Sequence, residues 1–248
     1  MHSLVVGGAR GLGWATAATL ALAGHRVSVL DRLAAPDGET LPPAVSFFAA
    51  DLLREEQTTV ALAAAVGRNG PVDNALFFQR HRGSGDPWEG EIATSLTATK
   101  RIVEWLASRL GDGTGGSIVM VGSIADHLVA EEQPAGYHAA KAGLVQLARY
   151  YAATLGPRNI RCNAVSPAVV RKPDRAGAEP DPALAILEGI IPLRRIPTAA
   201  DIAPVIAFLC SPDACCVTGQ NIVVDAGLSL LAHESLVRTL SRQSRPPG

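Results

Sequence analysis

Val6-Gly7-Gly8-Ala9-Arg10-Gly11-Leu12-Gly13 continues the apolar run Leu4–Val6 and opens onto Leu12–Ala23, a helix-length segment ended by Gly24. A strand that feeds glycines and then a helix lets backbone amides approach a pyrophosphate, whose charge is stabilised at the helix N-terminus. Gly7 suits the tight turn, Gly11 the close approach and Gly13 the packing of helix on strand, with Arg10 and Leu12 in the same turn. The plain alternative is a tight turn in a chain that carries 24 glycines.

Six further apolar runs are bounded by Gly, Pro, Asp or Asn: Val27–Leu30, Val45–Ala49, Ala75–Phe78, Ile118–Val121, Ile160–Val165 and Ile222–Val224. Each reads as a buried strand. Between them lie Glu55–Val66 ended by Gly67, Glu89–Leu110 ended by Gly111, Ala135–Leu155 ended by Gly156, and Ala199–Leu209, all of helix length. Strands alternating with helices imply right-handed crossovers and a parallel sheet covered on both faces. The expected fold is therefore α/β: a doubly wound, Rossmann-like parallel sheet of about seven strands in a single domain spanning 1–227, with a tail over 228–248.

Composition agrees with that architecture and excludes others. With 48% apolar and 4% aromatic residues, the 248-residue chain suits small β-branched strands under Ala-rich helices. No apolar run approaches the roughly 18 residues that span a bilayer, and Met1-His2-Ser3 lacks a charged leader, so a cytoplasmic protein away from membranes is expected. A net charge of −1 gives no general attraction to nucleic acid. Cys162, Cys210, Cys215 and Cys216 form no C-x-x-C pair and read as buried free thiols, so no metal is expected.

The second strand ends in Asp31, 18 residues beyond Gly13, where a carboxylate can accept from an adenosine ribose and repel a 2′-phosphate. NAD is thereby favoured over NADP, although Arg10 and Arg32 are placed to pair with a phosphate. The third strand closes with Asp51-Leu52, where an acid can read an adenine amino group or simply cap a helix.

Tyr137 and Lys141 are four apart in a helical segment and so face one cleft. An ammonium beside a phenol stabilises the phenolate and makes the hydroxyl a usable acid or base. Ser123, 14 residues earlier and just past a strand, can hold the substrate oxygen that gains or loses the proton.

With these motifs the chain resembles the short-chain dehydrogenase/reductase family over nearly its whole length. Asn159–Pro167, Ile191–Arg195, Val217–Gln220 and Val224–Gly227 also look like that family's later stretches. The resemblance implies Tyr137 as acid/base, Ser123 as substrate-positioning group, and Lys141 as partner to both the tyrosine and the nicotinamide ribose. It further implies that Phe78, Gln79, Pro167 and the Val170 backbone line the cofactor, and that the protein assembles as a homodimer or homotetramer. Leu144, Leu147, Ala148 and Tyr151 form an apolar stripe on the helix such relatives commonly pair.

Several family positions are altered. The Asn-Asn-Ala-Gly motif is Phe77-Phe78-Gln79-Arg80, the helix asparagine that supports a proton relay aligns with Ser95, and the Pro-Gly turn is Pro167-Ala168. The usual threonine beyond aligns with Lys172. Arg80, His81, Arg82, Lys172 and Arg175 can approach the strand carboxyl ends and favour an anionic substrate, with His127 a further substrate contact; solvated loop charges are the plain alternative. Arg171–Pro182 follows a strand's carboxyl end, and a lid over about 171–195 or a solvated linker both suit it. The expected activity is NAD(P)-dependent interconversion of a secondary alcohol and a ketone on a small, cyclic metabolite. The altered shell leaves open a second reading, a protein of this fold whose redox chemistry is lost or repurposed.

Overall fold

A computed structural model describes residues 1–33, 42–110, 115–172 and 181–243. Most of the loop 36–43, the helix stop at 111 and the stretch 173–180, which includes Arg175, lie outside the described residues. Seven parallel strands, β1 (His2–Val6), β2 (Arg26–Asp31), β3 (Val45–Ala49), β4 (Asn74–Phe77), β5 (Gly116–Val121), β6 (Ile160–Pro167) and β7 (Asn221–Val224), pair in the order β3-β2-β1-β4-β5-β6-β7. Alternating side chains point to opposite faces of a strand. Leu4 and Val6 thus enter one core, with Leu62, Ile102, Leu106 and Leu144 of helices on that side. Val5 enters the other with Ala17, Leu20, Ile202 and Ile206. Burial on both faces is why these strands read as continuous apolar runs.

Helices α1 (Gly11–Leu22) and α7 (Ala199–Cys210) cover the second core, and α2 (Glu55–Asn69), α4 (Ala98–Ala107) and α5 (Ala135–Leu155) cover the first. Helix α2 runs through Gly67 and stops at Gly70, whose φ of 84° favours glycine and turns the chain out of the helix while its amide bonds the Val66 carbonyl. The segment expected as one helix over Glu89–Leu110 is three pieces: α3 (Pro87–Glu91), a π-helical stretch Ile92–Thr97, and α4. Asp86 caps α3 by accepting from the Trp88 amide at 3.1 Å, and Pro87 occupies the first turn.

Two helices fall where loop and tail were expected, α6 (Pro182–Ile190) and α8 (His233–Gln243), and they pack on each other. Of the stripe Leu144, Leu147, Ala148 and Tyr151, three residues are buried in the chain's own core and Leu147 packs partly buried against it, so those three do not form a free assembly surface. Cys162 and Cys210 are buried as expected, but Cys215 and Cys216 are exposed just beyond the short turn Pro212–Ala214. No helix among the described residues is long and apolar enough to cross a membrane.

Candidate active site

The topology gathers the sequence motifs at one edge. Gly7–Gly13 follows β1, Asp31 closes β2, Asp51 and Leu52 follow β3, Phe78–Arg80 follow β4, Ser123 follows β5, and Pro167–Lys172 end and follow β6. All strands are parallel, so these are the carboxyl ends, and the order of connection reverses between β1 and β4. Open α/β sheets bind ligands in the crevice at such a point.

At the β1 end, the Gly7 amide bonds the Leu30 carbonyl at 2.8 Å, and Gly7 itself has φ of 76°. A Cβ there would stand 2.6 Å from the Gln79 amide nitrogen, so the glycine serves the close approach of the segment after β4 as well as the turn. Helix α1 begins with Arg10 as its N-cap residue, without a side-chain cap and without an acid in the first turn, and a Cβ on Gly11 would meet open space. Its first amides are thus available to an anion, and the cradle fits the pyrophosphate of a dinucleotide. Asp31 accepts from the Ala9 amide and the Leu33 amide, each at 3.0 Å, which fixes its carboxylate beside the glycine turn. A carboxylate so placed has lone pairs left for ribose hydroxyls. Arg10 and Arg32 are exposed nearby. Asp51 accepts from the Leu53 amide at 3.0 Å and anchors the turn into α2, whose N-cap residue is Arg54. Val170 packs against the second core, and Lys172 is exposed.

At the β5 end, the Ser123 hydroxyl accepts from the Ala125 amide at 3.2 Å and is buried, its own proton without an acceptor among the described residues. Lys141 is 4% exposed, donates to the Val121 carbonyl at 2.7 Å, and has its ammonium 5.6 Å from the Tyr137 ring centre. Burial pushes the Lys141 pKa down to about 8; Glu91 opposes that fall, and Arg80 and Arg82 add to it. His127 pairs with Asp126, which also accepts from Asn221 at 2.7 Å and Ser166 at 3.2 Å, so the loop after Ser123 is tied to β6 and β7.

The substituted segment after β4 has its own anchors. Gln79 donates to Thr99 Oγ1 at 2.6 Å, and Thr99 donates to the Ser95 carbonyl at 2.7 Å. Arg80 lies 4.4 Å over the Tyr137 ring, with one guanidinium nitrogen 3.4 Å from Glu91 and 3.2 Å from Gln133. Glu91, only 1% exposed, also accepts from the Ser95 hydroxyl at 2.9 Å and the His81 amide at 3.2 Å. Gln79 Oε1, Arg80 Nε and His81 Nε2 are buried without a partner among the described residues. Sequence reading did not single out Glu91, Gln133 or Thr99. The available signal was an acid four residues before Ser95, on the same helical face.

Comparison with known proteins matches residues 7–229 to a family model described as enoyl-(acyl carrier protein) reductase. Trans-4-hydroxycyclohexanecarboxylate dehydrogenase of Sinomonas cyclohexanicum is 33% identical over 245 residues, covering 91% of each chain. The chain belongs to the short-chain dehydrogenase/reductase family. A 3-oxoacyl-[acyl-carrier-protein] reductase, MabA of Mycobacterium tuberculosis, is 30% identical over 243 residues and 92% of each chain. The fold of this short-chain dehydrogenase/reductase is also that of the ligand-free aldohexose dehydrogenase of Thermoplasma acidophilum, with a TM-score of 0.82 at 22% identity over 94% of this chain and 95% of that one. Dehydrogenases and reductases of this family exchange hydride between a nicotinamide and a carbon bearing oxygen, and this chain is an enzyme of that class.

Proposed function

We propose that the protein is an NAD(H)-dependent oxidoreductase that interconverts a ring secondary alcohol and its ketone on a substrate carrying a carboxylate. The observation that carries this reading is the crowding of cations around Tyr137. Arg80 covers its ring, Lys141 stands one turn along, and Arg82 is held below its ordinary pKa by desolvation and then by Arg80 and Arg10. Glu91, the acid nearest to them in these contacts, is already engaged by Arg80. A cleft with surplus positive charge beside the proton-transfer group favours an anionic substrate. The name of the relative from Sinomonas cyclohexanicum, a hydroxylated cyclohexanecarboxylate dehydrogenase, supports the same substrate class.

When bound, a nicotinamide dinucleotide supplies the hydride acceptor or donor. The first amides of α1 would hold its pyrophosphate, Asp31 its adenosine ribose, and Lys141 its other ribose through the N–H donors not given to Val121. In oxidation the Tyr137 phenolate takes the substrate's hydroxyl proton; in reduction the Tyr137 hydroxyl returns it. The Ser123 hydroxyl accepts from the Ala125 amide and keeps its own proton to donate to the same oxygen. Arg82 and Lys172 are the exposed cations from the two segments flanking the cleft, and either can pair with the substrate carboxylate.

The test is oxidation of trans-4-hydroxycyclohexanecarboxylate and of trans-4-methylcyclohexanol with NAD+ and with NADP+. The carboxylate should be preferred by about tenfold or more in kcat/KM, the scale of one charge-assisted hydrogen bond, and NAD+ should be the better acceptor. Tyr137→Phe should abolish turnover while NADH binding is kept. Equal turnover of acid and neutral alcohol would remove the substrate class, and failure to bind either NADH or NADPH would remove the activity.

A further inference from the structure

We propose that Glu91 is a positioning residue for proton transfer: its buried carboxylate fixes Arg80 against the Tyr137 ring, the ring that the Lys141 ammonium also faces. The inference rests on Tyr137 and Lys141 being the proton-transfer pair.

A carboxylate that is 1% exposed is costly to bury without partners. Glu91 has three, and two of them come from positions where this chain departs from its family. Arg80 stands where a glycine is usual and Ser95 takes the place of the helix asparagine, while the third partner is the backbone amide of His81. The substitutions therefore act together: the shell that normally surrounds the lysine is replaced by one built on an acid. Its placement is rigid. A Cβ on Gly136, one residue before Tyr137, would stand 2.7 Å from the Trp88 Cα, so α3 lies directly against the start of α5. Glu91 is three residues from Trp88 on that same helix.

The charged and titratable groups facing Lys141 are Glu91 from α3, Arg80 and Arg82 from the segment after β4, and Tyr137 on its own helix. Two of these are cations that disfavour an ammonium, and burial disfavours it further. Glu91 opposes all three influences. Arg80 is thus restrained by Glu91, while its own charge acts on Lys141 in the opposite sense.

The chain has three lysines, Lys100, Lys141 and Lys172, so a protein labelled with [ε-13C]lysine gives three side-chain signals to follow against pH, without any cofactor. Glu91→Gln keeps an acceptor for Ser95 and His81 but removes the charge; the Lys141 titration should move down by about one pH unit, the smaller end of the effect of a nearby opposite charge. Glu91→Asp should largely restore it. Arg80→Met, at a half-buried position, should move it up. A role limited to packing would not shift one variant down and the other up. In turnover, one pH unit corresponds to about a fivefold lower kcat for Glu91→Gln at pH 8 and near-parental kcat at pH 6. Unchanged Lys141 titration in Glu91→Gln, or in Arg80→Met should the first variant not fold, overturns the proposal. Shifted titrations in a protein that turns over no alcohol would leave the electrostatic role standing and remove the proposed function instead.

Discussion

Replacing Lys141 by methionine should change stability with opposite signs at neutral and alkaline pH. In the folded protein burial lowers the Lys141 pKa from 10.5 to about 8, so between those values the unfolded chain binds the extra proton and the parent's stability rises with pH. At about 1.36 kcal/mol per pH unit, that depression amounts to about 3 kcal/mol of destabilisation near pH 7, nearly all relieved by pH 10.5. Methionine removes the penalty but leaves the Val121 carbonyl, now bonded at 2.7 Å, without its donor, a loss of about 2 kcal/mol. Lys141→Met should therefore be about 1 kcal/mol more stable than the parent at pH 7 and about 2 kcal/mol less stable at pH 10.5. Other groups also titrate in this range: Cys210 is pushed up to about 12 and Tyr151 to about 12 by burial, and both weaken the fold as pH rises above their ordinary values. They are common to the two proteins and cancel in the difference. Urea unfolding at fixed protein concentration measures it. A stability difference that stays constant from pH 7 to pH 10.5 would refute the reasoning, because a packing effect does not titrate.

Gly7→Ala should destabilise the fold by about 2–4 kcal/mol, from a left-handed backbone at φ of 76° and a Cβ forced to 2.6 Å from the Gln79 amide; a loss under about 1 kcal/mol in urea would show that the segment after β4 can move away. A thiol reagent should modify Cys215 and Cys216 rapidly in the native protein and reach Cys162 and Cys210 only on unfolding, since burial raises both of their pKa values. Mass mapping of the adducts decides, and fast native labelling of Cys162 would contradict the core described above.

The sheet was legible because its strands are buried on both faces, which leaves apolar runs that only turn residues interrupt; Val45–Ala49 and Ala135–Leu155 were bounded to the residue. The gathering of Gly7, Asp31, Ser123, Tyr137 and Lys141 at one edge then follows from parallel connection alone. Glu91 was not legible. Reading Glu89–Leu110 as one regular helix sets Glu91 on the face of Ser95 without saying what that face meets, and nothing local marks the change of helical form at Ile92. Gly67 misled for a related reason: in a helix interior glycine lowers stability without ending the helix, and it is Gly70, with its positive φ, at which α2 stops. The apolar stripe at Leu144 was assigned to assembly because spacing reveals that a face is apolar, not which neighbour covers it.

The π-helical stretch Ile92–Thr97 has a geometric meaning for evolution of the site. An α-helix advances about 100° per residue, so one residue's excess within a continuous helix turns everything before it by roughly that angle relative to everything after. The stretch separates Glu91, at the end of α3, from Thr99, in α4. Deleting a single residue of this stretch other than Ser95 should tighten it toward an ordinary helix and turn the acid away from Arg80 without changing either side chain. The acid at this site is thus controlled by chain length as much as by side-chain identity.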